Sequence, residues 1–353
     1  MLCTVASGVA CLFHGCHEPD LRRLLAQWLE NGAITSSKVG PLARVLAQAV
    51  IPITTRSLAR KLRVPASIVT ITVGGATLGG SGKTRVAIAC AALLAKQGAE
   101  VALVGHAYRA KPRGARVVTP ACALGEVGDE AIACVRALER AGARVMVVVA
   151  ESRQQAVDLA IARHPKLDAL VIDGPLEIRP RRADLALLAV DAEQPWGSGE
   201  LFPAGDLRAP PHALLSRADG LVAVDARPAL VLCEGRTFPL SHLEGMRLGF
   251  FSAMARPARL LLALARANVT PSVVVHAPDH GPVSRKLADQ IAHADTRVEM
   301  WVASEKCALH LEALEGCRLR QPMATFESAA QLPKVVRARV EALIGHSTIP
   351  LRC

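Results

Sequence analysis

A glycine-rich loop carrying a lysine and a threonine is the segment whose residue types and spacing most directly indicate chemistry. It follows an apolar run typical of a strand, residues 68–73, and opens a helical segment, residues 83–97. In that context glycines let backbone N–H groups surround phosphate oxygens, the lysine neutralises the β- and γ-phosphates, and the threonine hydroxyl ligates Mg²⁺. The residues predicted to bind nucleotide on this pattern are Gly79, Gly80, Ser81, Gly82, Lys83 and Thr84.

The loop departs from the general phosphate-binding pattern at one position. That pattern has a further glycine five residues before Gly82, where this chain has Thr77. A simple glycine-rich turn is the alternative interpretation. The agreement of strand, G-K-T triplet and helix favours phosphate binding.

Carboxylates that could act on a bound phosphate occur at two further places. Asp173 ends an apolar strand, where it could reach Mg²⁺ directly or through water. Its alternative role is that of a turn former beside Gly174. Asp129 and Glu130 open another predicted helix, where the helix dipole favours acidic residues even without a catalytic function.

The elements that must position these residues alternate between strand and helix. Short β-branched runs begin after residue 67 and are separated by helical segments, which predicts parallel pairing in a doubly wound α/β sheet. A second alternating series begins near residue 248 and predicts a second α/β lobe. The predicted divisions are an N-terminal arm, a P-loop domain, a linker and a second lobe, over residues 1–66, 67–228, 229–246 and 247–353.

The charge of the chain favours an anionic partner. Its 353 residues include 42 Lys and Arg against 31 Asp and Glu, a formal net charge of +11. Aromatic residues make up 3% of the chain, so few side chains are available to stack on bases, and nucleic acid is the least expected partner. No run approaches the roughly 18 apolar residues of a spanning helix.

Residues 31–66 combine six basic residues with apolar ones and contain no acidic residue. This composition predicts a basic amphipathic helical arm. Such a helix can lie in the headgroup region of an anionic membrane with its apolar face down. The alternative is a helix packed on the protein with a solvated basic face.

Several short blocks, in order along the chain, resemble those of one family, the tetraacyldisaccharide 4'-kinases, which phosphorylate the lipid A precursor. Residues 77–84 resemble its T-x-G-G-T-G-K-T, and the resemblance adds Thr77 to the residues predicted to bind nucleotide. Later matches are V-G-D-E at 127–130, the G-E-L-F-P-A-G-D-L-R segment at 199–208, R-A-D at 217–219, A-R-P at 255–257, P-D-H at 278–280 and S-E-K at 304–306.

The resemblance implies two Rossmann-like lobes, the first a P-loop kinase-type doubly wound sheet, with a membrane-surface N-terminal arm. It implies ATP and Mg²⁺ as donor and cofactor, and the 4' hydroxyl of an acylated glucosamine disaccharide 1-phosphate as acceptor. It also places the protein peripherally on the cytoplasmic face of the bacterial inner membrane.

The resemblance further implies roles for individual residues. Asp129 matches the family's base for the acceptor hydroxyl and His280 the histidine that assists it, while Lys83 acts on the transferring phosphate. Thr84 and Asp173 are the expected Mg²⁺ ligands. The residues expected to contact the acceptor substrate are Glu130, Arg153 and Arg208.

The chain differs from the family at the residue directly after Asp173. The family has a second aspartate where this chain has Gly174, so one Mg²⁺-ordering carboxylate is missing, and Glu177 is a candidate substitute. If the loss impairs the enzyme, Gly174→Asp should raise turnover.

Two alternatives to a lipid sugar kinase follow from the residues. A catalytically impaired homologue that still binds nucleotide and membrane would act as a binding or regulatory component. A membrane-associated P-loop ATPase of the positioning type would need a lysine before the paired glycines, where this chain has Leu78.

Overall fold

Two lobes, each built around its own mainly parallel sheet, make up the described part of the chain. The computed structural model describes residues 41–345, except 106, 108–109, 111–113, 226–227, 255–256, 278–282, 314–318 and 328–329. The alternation of strands and helices predicted two α/β lobes, and this fold class is confirmed.

A seven-stranded sheet forms the centre of the first lobe. The strands of this lobe are β1 (Ala59–Lys61), β2 (Val69–Gly75), β3 (Val101–Val104), β4 (Arg116–Val117), β5 (Val145–Val149), β6 (Ala169–Gly174), β7 (Glu177–Arg179), β8 (Leu185–Asp191) and β9 (Gly220–Val224). The sheet order is β4-β5-β3-β6-β2-β8-β9, and among these strands only β4 is antiparallel to its neighbour. β1 and β7 form a separate parallel pair.

Helices cover both faces of this sheet. The described α-helices of both lobes are α1 (Pro41–Ala49), α2 (Ile51–Arg56), α3 (Lys83–Lys96), α4 (Leu124–Val127), α5 (Asp129–Arg140), α6 (Arg153–Arg163), α7 (Pro211–Leu215), α8 (Ala258–Arg266), α9 (Arg285–Asp295), α10 (Glu305–Glu312) and α11 (Lys334–Gly345). α3, α5 and α11 share one apolar cluster on one face, and α6 packs into a second cluster. Strands covered on both faces explain the nearly continuous apolar runs in the sequence.

The strand order brings the predicted phosphate loop and Asp173 to the same edge of the sheet. β2 and β6 are parallel neighbours, with Val73 paired with Asp173 and Gly74 with Gly174. The loop after β2 therefore begins beside the carboxylate that ends β6. Ligands of open α/β sheets bind at this carboxyl edge of the strands.

The second lobe contains a six-stranded sheet. Its strands are β10 (Leu230–Cys233), β11 (Arg236–Pro239), β12 (Leu248–Ser252), β13 (Val273–His276), β14 (Met300–Ser304) and β15 (Met323–Glu327). They lie in the order β11-β10-β15-β14-β12-β13, with β10 antiparallel to both neighbours. Phe250, Phe251 and Trp301 are completely buried around this sheet.

The boundaries of the lobes differ from those that the sequence predicted. Residues 229–246, predicted as a linker, contain the hairpin β10–β11 and belong to the second sheet because β10 pairs with β15. The last helix, α11, returns to the first lobe, where Val336 and Val340 are buried beside α3. β1, predicted to lie within the arm, pairs with β7 of the first lobe.

The N-terminal arm is only partly described. Residues 1–40 lie outside the described residues. Of the basic apolar segment at 31–66, the described part is two short helices, α1 and α2, followed by β1 and not by one continuous helix. Pro52 at the start of α2 lacks the N–H that would continue the hydrogen-bonding ladder. Among the described residues, no helix combines the length and apolar character needed to cross a membrane.

Helices α5 and α10 join the two lobes through ion pairs. Arg136 forms two hydrogen bonds to Glu312, of 3.1 and 2.7 Å, and Arg140 forms two to Glu305, of 2.6 and 2.7 Å. Bidentate arginine–carboxylate pairs restrict the relative orientation of the two side chains more than single hydrogen bonds do. They hold the C-terminal half of α5 against the second lobe.

Candidate active site

The loop after β2 has the backbone conformation that its glycines permit. Gly80 and Gly82 have φ values of 72° and 77°, and Gly82 is the N-cap of α3. A Cβ on Gly82 would lie 2.7 Å from Val224 Cγ1, closer than real contacts allow. The left-handed backbone and the neighbouring valine together require glycine there.

Hydrogen bonds and packing stiffen the same loop. The buried Thr77 hydroxyl donates to Gly79 O at 2.6 Å, which gives the residue that breaks the general pattern a structural role. The Ser81 hydroxyl fills the space that a Cβ at Gly75 would occupy. A larger residue at position 75 would displace Ser81 from its present position.

The groups expected to bind phosphate and Mg²⁺ converge at Asp173. Thr84 Oγ1 donates to Asp173 Oδ2 at 2.8 Å, and Lys83 Nζ lies 3.9 Å from Oδ1. Oδ1 is buried and has no hydrogen-bond partner among the described residues. A hydroxyl and a carboxylate beside a phosphate loop are the oxygen donors that Mg²⁺ takes together with substrate phosphates, so these residues fit Mg²⁺ and a nucleotide.

Two half-buried arginines lie beside this carboxylate. Arg153 Nε donates to Asp173 O at 3.2 Å, and burial lowers the pKa of Arg153 to about 10 although Asp173 opposes the shift. Burial also lowers the pKa of Arg208, and Arg60 adds to that effect. Arg208 Nε is buried without a hydrogen-bond partner among the described residues. Such a donor is costly to leave unmatched, which favours an anionic ligand here.

Gly174 occupies the position of the missing second aspartate, and Arg153 takes up the adjoining space. The φ value of Gly174 is 114°, and a Cβ there would overlap the Arg153 guanidinium. Glu177, the candidate substitute, is paired with Arg179 at 2.8 Å and Arg217 at 3.1 Å. These partners hold the carboxylate of Glu177 in contacts unrelated to Asp173.

We therefore expect Gly174→Asp to give no gain in turnover, for a reason that the sequence does not show. The substitution introduces a side chain where the backbone is left-handed, which costs about 1 kcal/mol or more, and it displaces Arg153. The measurement is kcat together with the thermal unfolding midpoint, with Gly114→Asp, at an open positive-φ glycine, as the control for backbone strain alone. A tenfold rise in kcat would contradict this expectation.

Glu130, which follows Asp129 in the first turn of α5, lies beside the phosphate site. A small cavity is lined by Glu130, Thr84 and Asp173. Cys134, one turn further along α5, is surrounded by the same groups: burial raises its pKa, and Asp173 and Glu130 add to the increase. The first turn of α5 therefore faces the end of α3 that carries Lys83.

The second lobe supplies two side chains to this turn. Lys306 Nζ lies 3.1 Å from Glu130 Oε1, and His310 Nε2 lies 3.2 Å from Asp129 Oδ2. Burial works against the Lys306 ammonium, but Glu130 and Asp129 outweigh it and raise the pKa of Lys306. His280, predicted to assist Asp129, lies outside the described residues.

Sequence reasoning missed His310 and Arg259. Lys306 and His310 are four residues apart in α10, a spacing that places both on one face and could have identified His310. Arg259 Nη1 donates to Gly80 O at 3.1 Å and to Asp191 Oδ2 at 2.9 Å. The second lobe thus contacts the phosphate loop directly, a contact that no local pattern indicates.

Comparison with known proteins decides the family. The family model described as Tetraacyldisaccharide-1-P 4'-kinase matches residues 39–345. The chain belongs to this family. A tetraacyldisaccharide 4'-kinase of Methylobacterium radiotolerans is 31% identical over 291 residues, covering 76% of this chain and 85% of the relative. One of Acidovorax sp. strain JS42 is 30% identical over 339 residues, covering 88% and 94%.

A solved structure agrees with the fold. The crystal structure of LpxK from Aquifex aeolicus in complex with ATP has a TM-score of 0.60 at 20% identity, and the match covers 86% of this chain and 96% of that one. Membership of the tetraacyldisaccharide-1-P 4'-kinase family makes the chain a kinase. It does not favour the regulatory homologue or the positioning ATPase considered from the sequence.

Proposed function

We propose that this kinase transfers the γ-phosphoryl group of ATP to the 4' hydroxyl of an acylated glucosamine disaccharide 1-phosphate, a step of lipid A biosynthesis. The observation that carries the proposal is the convergence of Lys83 and Thr84 on Asp173, beside a cavity that Thr84 and Asp173 share with Glu130 of α5. Asp129, the carboxylate that we propose acts on the acceptor, precedes Glu130 in the first turn of α5.

Lys83 and the loop from Gly79 to Thr84 hold the donor in this proposal. Backbone N–H groups at the start of α3 point toward the phosphates, and the Lys83 ammonium balances the charge of the transferring group. Thr84 and Asp173 would hold Mg²⁺, which neutralises charge on the β- and γ-phosphates when bound.

Asp129 is the proposed base for the acceptor. As the 4' oxygen bonds to the γ-phosphorus, its O–H bond breaks and the proton passes to the Asp129 carboxylate. The bond from the γ-phosphorus to the β–γ bridging oxygen breaks, and ADP leaves with that electron pair. A nearby carboxylate that keeps its orientation is the arrangement that general-base catalysis requires.

Arg153 and Arg208 are proposed to bind the anionic part of the acceptor, and Glu130 to line the same site. The support is their partial burial beside Asp173 and the buried Nε of Arg208, which has no hydrogen-bond partner among the described residues. A guanidinium held in place presents a planar set of donors that suits a phosphate.

We expect Arg208→Leu to raise KM for the acceptor about 10- to 100-fold, the effect of losing a charge-assisted hydrogen bond. KM for ATP should change by less than about threefold. Steady-state kinetics with each substrate varied in turn measure both, and Arg182→Leu, at an arginine whose side chain is 54% exposed, serves as the control. A rise confined to KM for ATP would assign Arg208 to the nucleotide instead.

The acyl chains of the acceptor imply that the enzyme works at a membrane surface, which we propose is the cytoplasmic face of the bacterial inner membrane. Val45 of α1 is 65% exposed, and the exposed Arg60 and Lys61 of β1 follow shortly after. Exposed apolar and basic side chains together favour anionic headgroups. Co-sedimentation with anionic but not with zwitterionic vesicles tests this part of the proposal.

The whole proposal is tested by incubating the purified full chain with ATP, Mg²⁺ and tetraacyldisaccharide 1-phosphate. A product heavier by one phosphoryl group, with the phosphate at the 4' position, supports it. Normal nucleotide binding without such a product would instead favour the impaired homologue that binds nucleotide only.

A further inference from the structure

A histidine from the second lobe contacts the carboxylate to which we assign the acceptor proton. His310 Nε2 lies 3.2 Å from Asp129 Oδ2, and each side chain is only 5% exposed. The two residues are 181 positions apart in the chain, so only the closure of one lobe on the other brings them together. In a buried environment such a hydrogen bond is stronger than on the surface.

The helix that carries His310 is firmly attached at this point. Ser304 caps α10 by accepting a hydrogen bond from Cys307 N at 3.3 Å. Lys306, one turn before His310, is paired with Glu130, the residue after Asp129. The pairs of α10 with Arg136 and Arg140 described above continue along the same interface. His310 is therefore held in place by contacts on both sides of it.

The two oxygens of Asp129 receive their hydrogen bonds from different directions. Oδ1 accepts from Glu130 N at 2.8 Å, within its own helix, whereas Oδ2 faces His310 on the other lobe. These two contacts together fix the rotation of the carboxylate. A carboxylate oxygen has two lone pairs, so Oδ2 is able to accept from an imidazole N–H and from a substrate hydroxyl at the same time.

We propose that His310 is the positioning residue for Asp129: its Nε2–H donates to Oδ2 and holds the carboxylate in the orientation that receives the acceptor proton. The inference rests on the proposed role of Asp129. His310 keeps its own proton throughout, while the acceptor proton passes to Asp129 as the new O–P bond forms. This role is separate from the one that the family resemblance implies for His280.

Two substitutions that both introduce a side-chain amide, but differ in length by one methylene, provide the test. In His310→Gln the side-chain amide N–H can replace Nε2–H, whereas in His310→Asn the amide is one methylene shorter and does not reach Oδ2. We expect His310→Asn to lower kcat about 10- to 100-fold, as misplacement of a catalytic group does, with KM for ATP and for the acceptor changed by less than about threefold. His310→Gln should retain kcat within about fivefold of the parent.

A double-mutant cycle separates positioning from a general structural effect. In an Asp129→Asn background, His310→Asn should cause no further loss of kcat, because the group through which it acts is gone. Glu312→Gln, on the same helix, breaks the pair with Arg136 and controls for weakening of the interface. Its kcat should stay at the parent value even where its unfolding midpoint falls as far as that of His310→Asn.

The outcomes that would overturn the inference are distinct from those that would overturn the proposed function. Unchanged kcat in His310→Asn, equal losses in His310→Asn and His310→Gln, or full additivity with Asp129→Asn would each exclude positioning by His310. A large loss in His280→Ala with none in His310→Asn would assign the support of Asp129 to His280 alone. Unchanged kcat in Asp129→Asn would instead remove the proposed base.

Discussion

Replacing Lys83 with alanine is expected to lower kcat at least about 10²- to 10³-fold while the chain remains folded. Charge accumulates on the oxygens of the transferring phosphoryl group, and a fixed ammonium opposes that charge without needing to reorganise. The structure places Lys83 Nζ 3.9 Å from Asp173, so the lysine lies beside the proposed Mg²⁺ ligands. Single-turnover kinetics with ATP in excess measure the chemical step.

The control for Lys83→Ala lies on the same helix. Lys96→Ala removes an exposed ammonium from the last turn of α3 and should leave kcat unchanged. The Lys83 side chain is 28% exposed, so its loss should change the unfolding midpoint only slightly. If both variants have parent activity, the loop after β2 does not bind the transferring phosphate, and the proposed reaction needs a different site.

Asp129→Asn is expected to lower kcat about 10²- to 10⁴-fold with little change in ATP affinity. The amide is nearly the same size as the carboxylate but cannot take up the proton of the acceptor hydroxyl, and general-base catalysis contributes rate factors of this order. Asp129 contacts Glu130 N and His310, whereas the predicted nucleotide ligands lie on α3 and β6. ATP binding measured by calorimetry and kcat measured with the acceptor saturating separate the two effects.

An acidic residue at the start of a helix also stabilises it through the helix dipole, by about 0.3–1 kcal/mol. Glu126→Gln controls for loss of a carboxylate near the same helix, since Glu126 lies on the preceding α4 and pairs with Arg116 at the surface. Its kcat should equal that of the parent. If Asp129→Asn lowers kcat and ATP affinity to the same extent, the carboxylate acts on the fold and not on the acceptor.

At position 174, the effect of a departure from the family motif depends on the neighbouring side chains. The sequence indicates a missing carboxylate there, and Gly174→Asp is the obvious restoration. The structure has a left-handed glycine at this position with the Arg153 guanidinium in the space of the side chain. A cation next to Asp173, and not a second anion, changes the charge balance of the site. Any account of turnover must therefore include the Arg153 guanidinium in the space that an aspartate side chain at position 174 would occupy.

The sheets were largely predictable from local patterns, and the lobe boundaries were not. β2 overlaps the predicted run 68–73, and β12 begins at residue 248, where the second alternating series was predicted, because strands buried on both faces are continuous apolar segments. The hairpin β10–β11 was assigned to a linker because its strands are four residues long and the pairing of β10 is with β15, more than 90 residues later. A pairing partner so distant leaves no local signal.

The phosphate-binding residues were predictable because they belong to one continuous segment. The glycines, Lys83 and Thr84 must be consecutive for backbone N–H groups to surround a phosphate. Their spacing is therefore visible in the sequence alone. Family membership, too, followed from ordered blocks of residues in the sequence and agrees with the comparisons.

Tertiary structure alone decided which groups surround Asp129 and Asp173. His310 and Lys306, at the start of α5, come from the second lobe, and Arg153, beside Asp173, comes from a helix that no motif connects to Gly174. These contacts depend on how two separately folded sheets pack and on where a glycine leaves space. Such distances are set by the packing of the whole chain, whereas residue types and local periodicity set only what each segment is able to do.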